Sequence, residues 1–220
     1  MGKNVLSVGS MTLGMVGTNC YFVFKEEAVC NDEKTKHVIL FDPADRGRKI
    51  YDTLTENGLV VDLILLTHGH FDHIGGVDEI KKLTGAPVGC YEKEMALCND
   101  PYLNLSNDFG MHLKVMPDKL YKDGDIIEAA GMSCKLIFTP GHTSGSCCYY
   151  FEEGHILISG DTLFEESVGR TDFPTSSTSD LVHSINDKLF VLPEETIVYP
   201  GHGDITTIKH EMMYNPFCRF

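Results

Sequence analysis

The chain has 220 residues, 42% of them hydrophobic and 23% charged, a balance that excludes disordered and fibrous classes. Eighteen Lys and Arg against 32 Asp and Glu leave a net charge of −14. A surface of that sign repels nucleic-acid phosphates and anionic lipid, so no nucleic acid and no membrane are expected as partners. No stretch approaches the roughly 20 apolar residues that span a bilayer. The length fits one domain, residues 1–220.

The N-terminal stretch MGKNVLSVGSMTLGMVGTNCYFVF lacks the apolar core and small-residue cleavage site of a signal peptide. Leu6 stands where a myristoylation signal would carry Ser or Thr. The eight cysteines are too sparse for a disulfide scaffold and form no CxxC. Reduced thiols, mostly packed as small core residues, and a cytoplasmic location are therefore expected.

Strands are predicted at Val5–Val8, Cys20–Phe24 and Val38–Phe41, with a polar hairpin loop over Val29–Lys36. A helix is predicted over Ile50–Asn57, stopped by Gly58. Leu63–Leu66 is an apolar run of the kind that forms a buried strand, and it leads directly into Thr67-His68-Gly69-His70-Phe71-Asp72-His73. A helix over Val77–Leu83, a strand over Pro87–Tyr91 and a short helix over Glu92–Cys98 follow. Residues 99–122, rich in Asn, Asp, Pro and Gly, read as a lid or a mobile insertion. Strand signals return at Ile126–Ala129, Ser133–Phe138, Cys147–Phe151, Ile156–Ser159 and Thr196–Tyr199. Ser179–Leu192 is amphipathic, with Leu181, Ile185, Leu189 and Leu192 along one face, and Thr207–Tyr214 closes the chain as a short helix. Strands in both halves, each followed by helices, suggest layered sheets with helices outside.

Four polar motifs stand just after apolar runs: His68-Gly69-His70-Phe71-Asp72-His73, Pro140-Gly141-His142-Thr143, Ser159-Gly160-Asp161-Thr162 and Pro200-Gly201-His202-Gly203. Strand ends at a sheet edge are where a scaffold fixes its functional loops. In an extended segment His68 and His70 point to one side and can share a metal ion. Asp72 and His73, where the chain turns towards a helix, aim at a neighbouring point. One loop thus supplies two metal positions, and so many His and Asp crowded together would be costly without a cation. His37, His112, His155, His183 and His210 lack such context and are expected at the surface, with His112 of interest for its place in the 99–122 stretch.

These motifs carry a resemblance to the metallo-β-lactamase-fold hydrolases, and within them to the glyoxalase II-like (hydroxyacylglutathione hydrolase-like) proteins. It runs through Thr18-Asn19-Cys20-Tyr21, Phe41-Asp42-Pro43, THGHFDHIGG (67–76), TPGHTSGS (139–146), SGDTLF (159–164), GRTDFP (169–174) and YPGHG (199–203). The resemblance implies an α/β architecture, a four-layer αβ/βα sandwich of two mixed sheets with helices on the outer faces. It also implies two divalent metal ions, zinc in the first instance and iron or manganese as substitutes. His68, His70 and His142 would hold the first, and Asp72, His73 and His202 the second. Asp161 would bridge them, with Asp72 and Asp161 as the catalytic carboxylates.

Two divalent ions that close lower the pKa of a shared water, which suits attack on an acyl carbon. A thiolate leaves well, so a small-molecule thioester is the expected substrate, S-D-lactoylglutathione giving D-lactate and glutathione. No GxSxG, Walker loop or GxGxxG points elsewhere. Two alternatives stay open: a persulfide dioxygenase with a single iron, and a lactone or ester hydrolase. Longer relatives carry a C-terminal helical domain that helps hold glutathione, which is not expected here. Where they place a Lys and a Tyr, this chain has Arg170 and Asp172. Arg170 can pair with a substrate carboxylate or form a structural ion pair. Asp42 can orient a ligand His or close the turn before Pro43. Monomer and homodimer are both compatible with the sequence.

Overall fold

The computed structural model describes residues 5–26 and 35–218, so the hairpin loop at Val29–Lys36 falls, but for its last two residues, outside it. Six strands form a first mixed sheet: β1 (Val5–Leu13), β2 (Thr18–Glu26), β3 (Lys36–Phe41), β4 (Leu59–Leu65), β5 (Val88–Tyr91) and β6 (Lys119–Tyr121), in that order across the sheet. A second contains β7 (Ile126–Ala129), β8 (Met132–Phe138), β9 (Cys147–Phe151) and β10 (Ile156–Gly160). The pair β11 (Leu163–Phe164) and β12 (Ser167–Val168) stands apart as a small hairpin, and β13 (Ile197–Pro200) and β14 (Thr206–Thr207) complete the second sheet in the order β14-β13-β10-β9-β8-β7.

Six helical segments accompany them: α1 (Gly47–Glu56), α2 (Phe71–Ile74), α3 (Val77–Thr84), α4 (Met95–Cys98), α5 (Thr178–Ser184) and α6 (Ile208–Tyr214). The layering follows from side-chain alternation along strands, since successive residues face opposite sides of a sheet. Val38 and Leu40 of β3 pack with Ile50, Leu54, Val77 and Ile80 of α1 and α3. Ile39 and Phe41, on the other face, pack with Leu136, Tyr149, Phe151 and Ile158 of the second sheet. Cys148, Tyr150, Leu157 and Val198 then meet Leu181, Ile185, Leu189 and Ile208 beneath the second sheet. Three apolar interfaces make four layers, helix–sheet–sheet–helix, as the family resemblance implies. The described cysteines are all buried and free, and most belong to these interfaces.

Several elements depart from the predicted ones, among them β4, which begins at Leu59 rather than Leu63. β1 continues to Leu13 because Gly9 and Ser10, weak strand formers, pair residue by residue with Phe22 and Tyr21 of β2. The amphipathic stretch from residue 179 is α5 followed by a π-helical turn over Ile185–Leu189, which still buries Leu181, Ile185 and Leu189. Residues 99–122 are fastened to the fold at several points. The Phe71 N–H donates to Asn104 O at 2.8 Å, buried Asn104 Nδ2 donates to Leu113 O at 2.9 Å, and Val115 N donates to Cys98 O at 2.9 Å. The stretch ends in β6, which pairs parallel to β5. No helix among the described residues is long and apolar enough to cross a membrane.

The strand directions bring the functional loops together. β3 and β4 run parallel and β2 runs against them, so the end of β3, the end of β4 and the start of β2 share one edge. β10 and β13 are parallel, and β8 shares their direction through two antiparallel pairings, so their ends share an edge too. The inter-sheet interface that sets this alignment is centred on Phe41, fully buried between Tyr149 at 5.4 Å and Phe151 at 6.0 Å between ring centroids. Phe41→Ala is expected to cost about 3–5 kcal/mol of stability by emptying that space. Urea unfolding read by circular dichroism checks this; a loss below 1 kcal/mol would show that the sheets close over the gap.

Candidate metal centre

Each predicted ligand leaves the end of a strand or the turn behind it. β4 delivers Thr67 and the loop with His68 and His70, and α2 begins at Phe71 and carries Asp72 and His73 on its first turn. The ends of β8, β10 and β13 deliver His142, Asp161 and His202. All seven predicted ligands meet. His68, His70 and His142 offer donor atoms within 4.8 Å of one another, as do Asp72, His73 and His202. A third set, His68, His73 and Asp161, joins the two. Asp161 lies between the triads: its Oδ1 is 3.3 Å from His73 Nε2, and its Oδ2 is 3.6 Å from His142 Nε2 and 3.5 Å from His202 Nε2.

The unsatisfied atoms test whether a metal fits. Among the described residues, His68 Nε2, His70 Nε2, His73 Nε2 and Asp161 Oδ1 are four of the six buried side-chain atoms without a hydrogen-bond partner. Buried polar groups are nearly always paired, and each orphan costs about 1–3 kcal/mol. Four orphans in one cluster mark a place where a cation belongs. The ionic partners of Asp72 and Asp161 among the described residues are imidazoles only, with no Lys or Arg to neutralise them. His70 Nδ1 and His142 Nε2 face each other at 2.9 Å, and His142, which donates through Nδ1 to the Arg170 carbonyl, turns the lone pair of its Nε2 into the cluster. Nitrogen and carboxylate oxygen donors of this kind suit zinc, iron or manganese.

Neighbouring groups hold the ligands in orientation. His73 Nδ1 donates to Asp42 Oδ2 at 2.9 Å, which directs Nε2 into the cluster. His142 Nδ1 donates to the Arg170 carbonyl at 2.8 Å, with the same effect. Asp42 also accepts from Thr67 N at 2.8 Å and Thr67 Oγ1 at 2.6 Å, so it both closes the turn after β3, at φ 46°, and orients a ligand. The Thr18 hydroxyl donates to Asp72 Oδ2 at 2.7 Å. Asn19 Nδ2 and Tyr21 Oη bond the Pro200 carbonyl, and Asn19 also bonds that of Gly203, so β2 fixes the loop carrying His202. Gly201 has to be glycine, because a Cβ there would collide with the Asp161 carboxylate and lie 2.7 Å from the His73 ring.

Burial, joined by neighbouring imidazoles, holds His68 well below its ordinary value and His70 down at about 3. Burial also lowers His142. These three are therefore neutral, the form that binds metal. For His73 burial opposes charge, but Asp72, Asp161 and Asp42 outweigh it and hold the imidazole well above its ordinary value. His202 is raised likewise by Asp72 and Asp161 against the effect of burial. Burial would raise the two carboxyls, yet His73 leads the groups that keep Asp72 and Asp161 below the usual carboxylate range.

The remaining predicted residues lie elsewhere or play another part. His37, His155, His183 and His210 bond to Asp62, Tyr150, Ser179 and Glu166 outside the cluster, and His112 is exposed. Arg170 is exposed, with its guanidinium on Asp172 at 2.7 Å and 4.5 Å from the centre of the Phe173 ring. The Phe173 ring in turn lies 5.0 Å from His70 and 5.6 Å from His142, at the mouth of the site. Sequence reasoning missed Thr18 as a partner of Asp72. It also missed Glu94, a fully buried carboxylate behind the His68–His70 loop whose pKa burial pushes up to about 7. A lone Glu in a short polar helix carries no sign of burial.

This donor set has known counterparts. The sequence matches the Metallo-beta-lactamase superfamily over residues 13–202, which spans every ligand. The chain belongs to that superfamily. Among superfamily members, a protein of Bacillus subtilis (strain 168) described as "Probable metallo-hydrolase YqgX" is 36% identical over 94% of this chain and 95% of its own. The "Hydroxyacylglutathione hydrolase GloC" of Haemophilus influenzae is 31% identical over 90% of this chain and 92% of its own. The crystal structure of BLEG-1 B3 metallo-beta-lactamase superposes with a TM-score of 0.87 at 36% identity, covering 96% of this chain and 99% of that one. TTHA1623, solved in a di-iron-bound form, gives 0.81 at 33% identity, covering 95% and 99%. The protein is a metal-dependent hydrolase of this superfamily with a His and Asp metal site.

The shifts of the metal-free cluster set a stability optimum. Between pH 6.5 and about 3 the unfolded chain takes up a proton at His70 that the folded chain refuses, so stability falls with falling pH in that window. Above 6.5 the folded state holds protons on His73 and His202 that the unfolded chain has lost, so stability falls again as pH rises through their folded values. Chelator-treated protein is expected to show its highest urea midpoint near pH 6.5, and a midpoint that climbs steadily from pH 5 to 9 would contradict this assignment.

Proposed function

We propose that the protein is a dinuclear metal-dependent hydrolase of acyl thioesters, with S-D-lactoylglutathione as the substrate type, releasing D-lactate and glutathione. The observation that carries this reading is the commitment of the whole cluster to ligation: two donor triads joined by Asp161, with every imidazole directed inward. No acid within the cluster is left to protonate a poor leaving group. A thiol, with a pKa of about 8.5, departs as thiolate without one, whereas an amine or alkoxide needs a proton. The resemblance to the hydroxyacylglutathione hydrolase of Haemophilus influenzae supports the same substrate class.

Bound divalent ions would supply an activated water and a Lewis acid for the acyl carbonyl. The protein's own residues do the positioning. His68, His70 and His142 would hold one ion and Asp72, His73 and His202 the other, with Asp161 shared. Asp42, the Arg170 carbonyl and Thr18 keep these donors aimed while substrate enters and product leaves. Phe173 walls the mouth beside His70 and His142, an apolar surface for the acyl and thioester carbons. Arg170, spread over that ring and shared with Asp172, is placed to meet a carboxylate of the thiol portion.

Metal content measured beside turnover tests the reading. Two ions per chain and thiol release from S-D-lactoylglutathione are expected, with no ring opening of a matched lactone. One iron per chain with oxygen uptake on glutathione persulfide would instead make the protein a dioxygenase, and turnover confined to lactones would move it to ester hydrolysis. Arg170→Ala is expected to raise KM for the glutathione thioester about 3- to 5-fold with kcat little changed, the size of an exposed ion pair. Its carbonyl, which holds His142, survives the substitution. An unchanged KM would remove Arg170 from substrate recognition.

A further inference from the structure

Glu94 ends the 3-10 turn that follows β5, and it is fully buried with no Lys or Arg partner among the described residues. A carboxylate in that position is costly unless donors surround it. Its donors come from two different loops. Gly69 N donates to Oε1 at 2.9 Å, and the Thr143 hydroxyl reaches Oε1 at 3.0 Å and Oε2 at 2.9 Å. The backbone of Gly145 also turns its N–H to the carboxylate, and a Cβ at Gly145 would strike Glu94. Gly69 is the residue between His68 and His70, and Thr143 follows His142. One side chain thus grips both loops that carry the triad His68, His70 and His142, and it touches neither Asp72, His73 nor His202.

We infer that Glu94 is a positioning residue for the metal ion held by His68, His70 and His142, its carboxylate setting the separation of the two loops that supply those imidazoles. The inference rests on the two-ion reading of the site given above. The donors dictate the residue type. Two are backbone N–H groups that cannot accept, so a side chain with acceptors at both ends is required. An amide presents one NH2 group, which the Thr143 hydroxyl can turn to accept but the Gly145 N–H cannot. Aspartate is one methylene too short to reach both loops.

Zinc affinity of the full-length chain, measured by competition with a chromophoric chelator, tests the inference without any assay of turnover. His202→Ala disables the second triad and leaves the first to report; His70→Ala does the reverse. Glu94→Gln is expected to weaken zinc binding about 10- to 100-fold in the His202→Ala background, the range found for groups that support ligands. In the His70→Ala background the same change is expected to leave affinity within about twofold. Thr143→Val should weaken the first site in the same direction and Thr143→Ser should restore it, which decides the matter even where Glu94 variants fold poorly. Equal losses at both triads, or none at either, would overturn the role of Glu94. A parent chain that takes up no zinc, iron or manganese would overturn the two-ion reading itself.

Discussion

The structure turns on one electrostatic constraint: five imidazoles and two carboxylates converge at one edge of a sheet sandwich with no Lys or Arg among their ionic partners in the described residues. Burial drives three of the imidazoles neutral, while the carboxylates pull protons onto the other two. The cluster is thus divided into a neutral half and a charged half that face each other across Asp161. A divided cluster of this kind is poorly satisfied alone and well satisfied around cations.

The rest of the edge holds that cluster in register. Asp42 links the end of β3 to the end of β4 and to His73, and Asn19 with Tyr21 links the start of β2 to the loop after β13. The Asp42 bonds tie together two strand ends of the first sheet, and those of Asn19 and Tyr21 join the first sheet to the second. The sandwich supplies the alignment of strand ends, and a few buried polar contacts convert alignment into ligand geometry. Glu94 belongs to this frame, reaching from the turn after β5 to both loops of one triad.

Membership of the superfamily accounts for the donor set but not for the choice of substrate. Here the wall of the mouth is Phe173 and Arg170, in the segment between β12 and α5. In residues 99–122, Phe109 stacks on Phe71 at 4.3 Å, next in sequence to His70. That stretch read as a lid or a mobile insertion in sequence because it is rich in Asn, Asp, Pro and Gly. Its order comes from buried Asn104 and Ser106, whose side chains satisfy its own backbone, and composition cannot show where a side chain finds its partner.

Much of the site was legible because metal ligation demands particular residue types at short spacings, and the strands before them are written in unbroken apolar runs. His68, His70, Asp72 and His73 lie within six residues, and His142, Asp161 and His202 each follow such a run. Local pattern and composition determined the layered sheets, the four polar motifs after apolar runs and the acidic balance, and the resemblance carried by those motifs implied the seven donors. Only the tertiary structure decided that Asp42 serves His73, that Thr18 holds Asp72 and that Glu94 spans two loops, for these contacts join residues 25 to 54 positions apart. It also decided the two-residue strands β11, β12 and β14, which exist only through pairing. Local pattern specifies what a segment can be; which distant donor meets which acceptor is settled when the sheets pack and water is excluded.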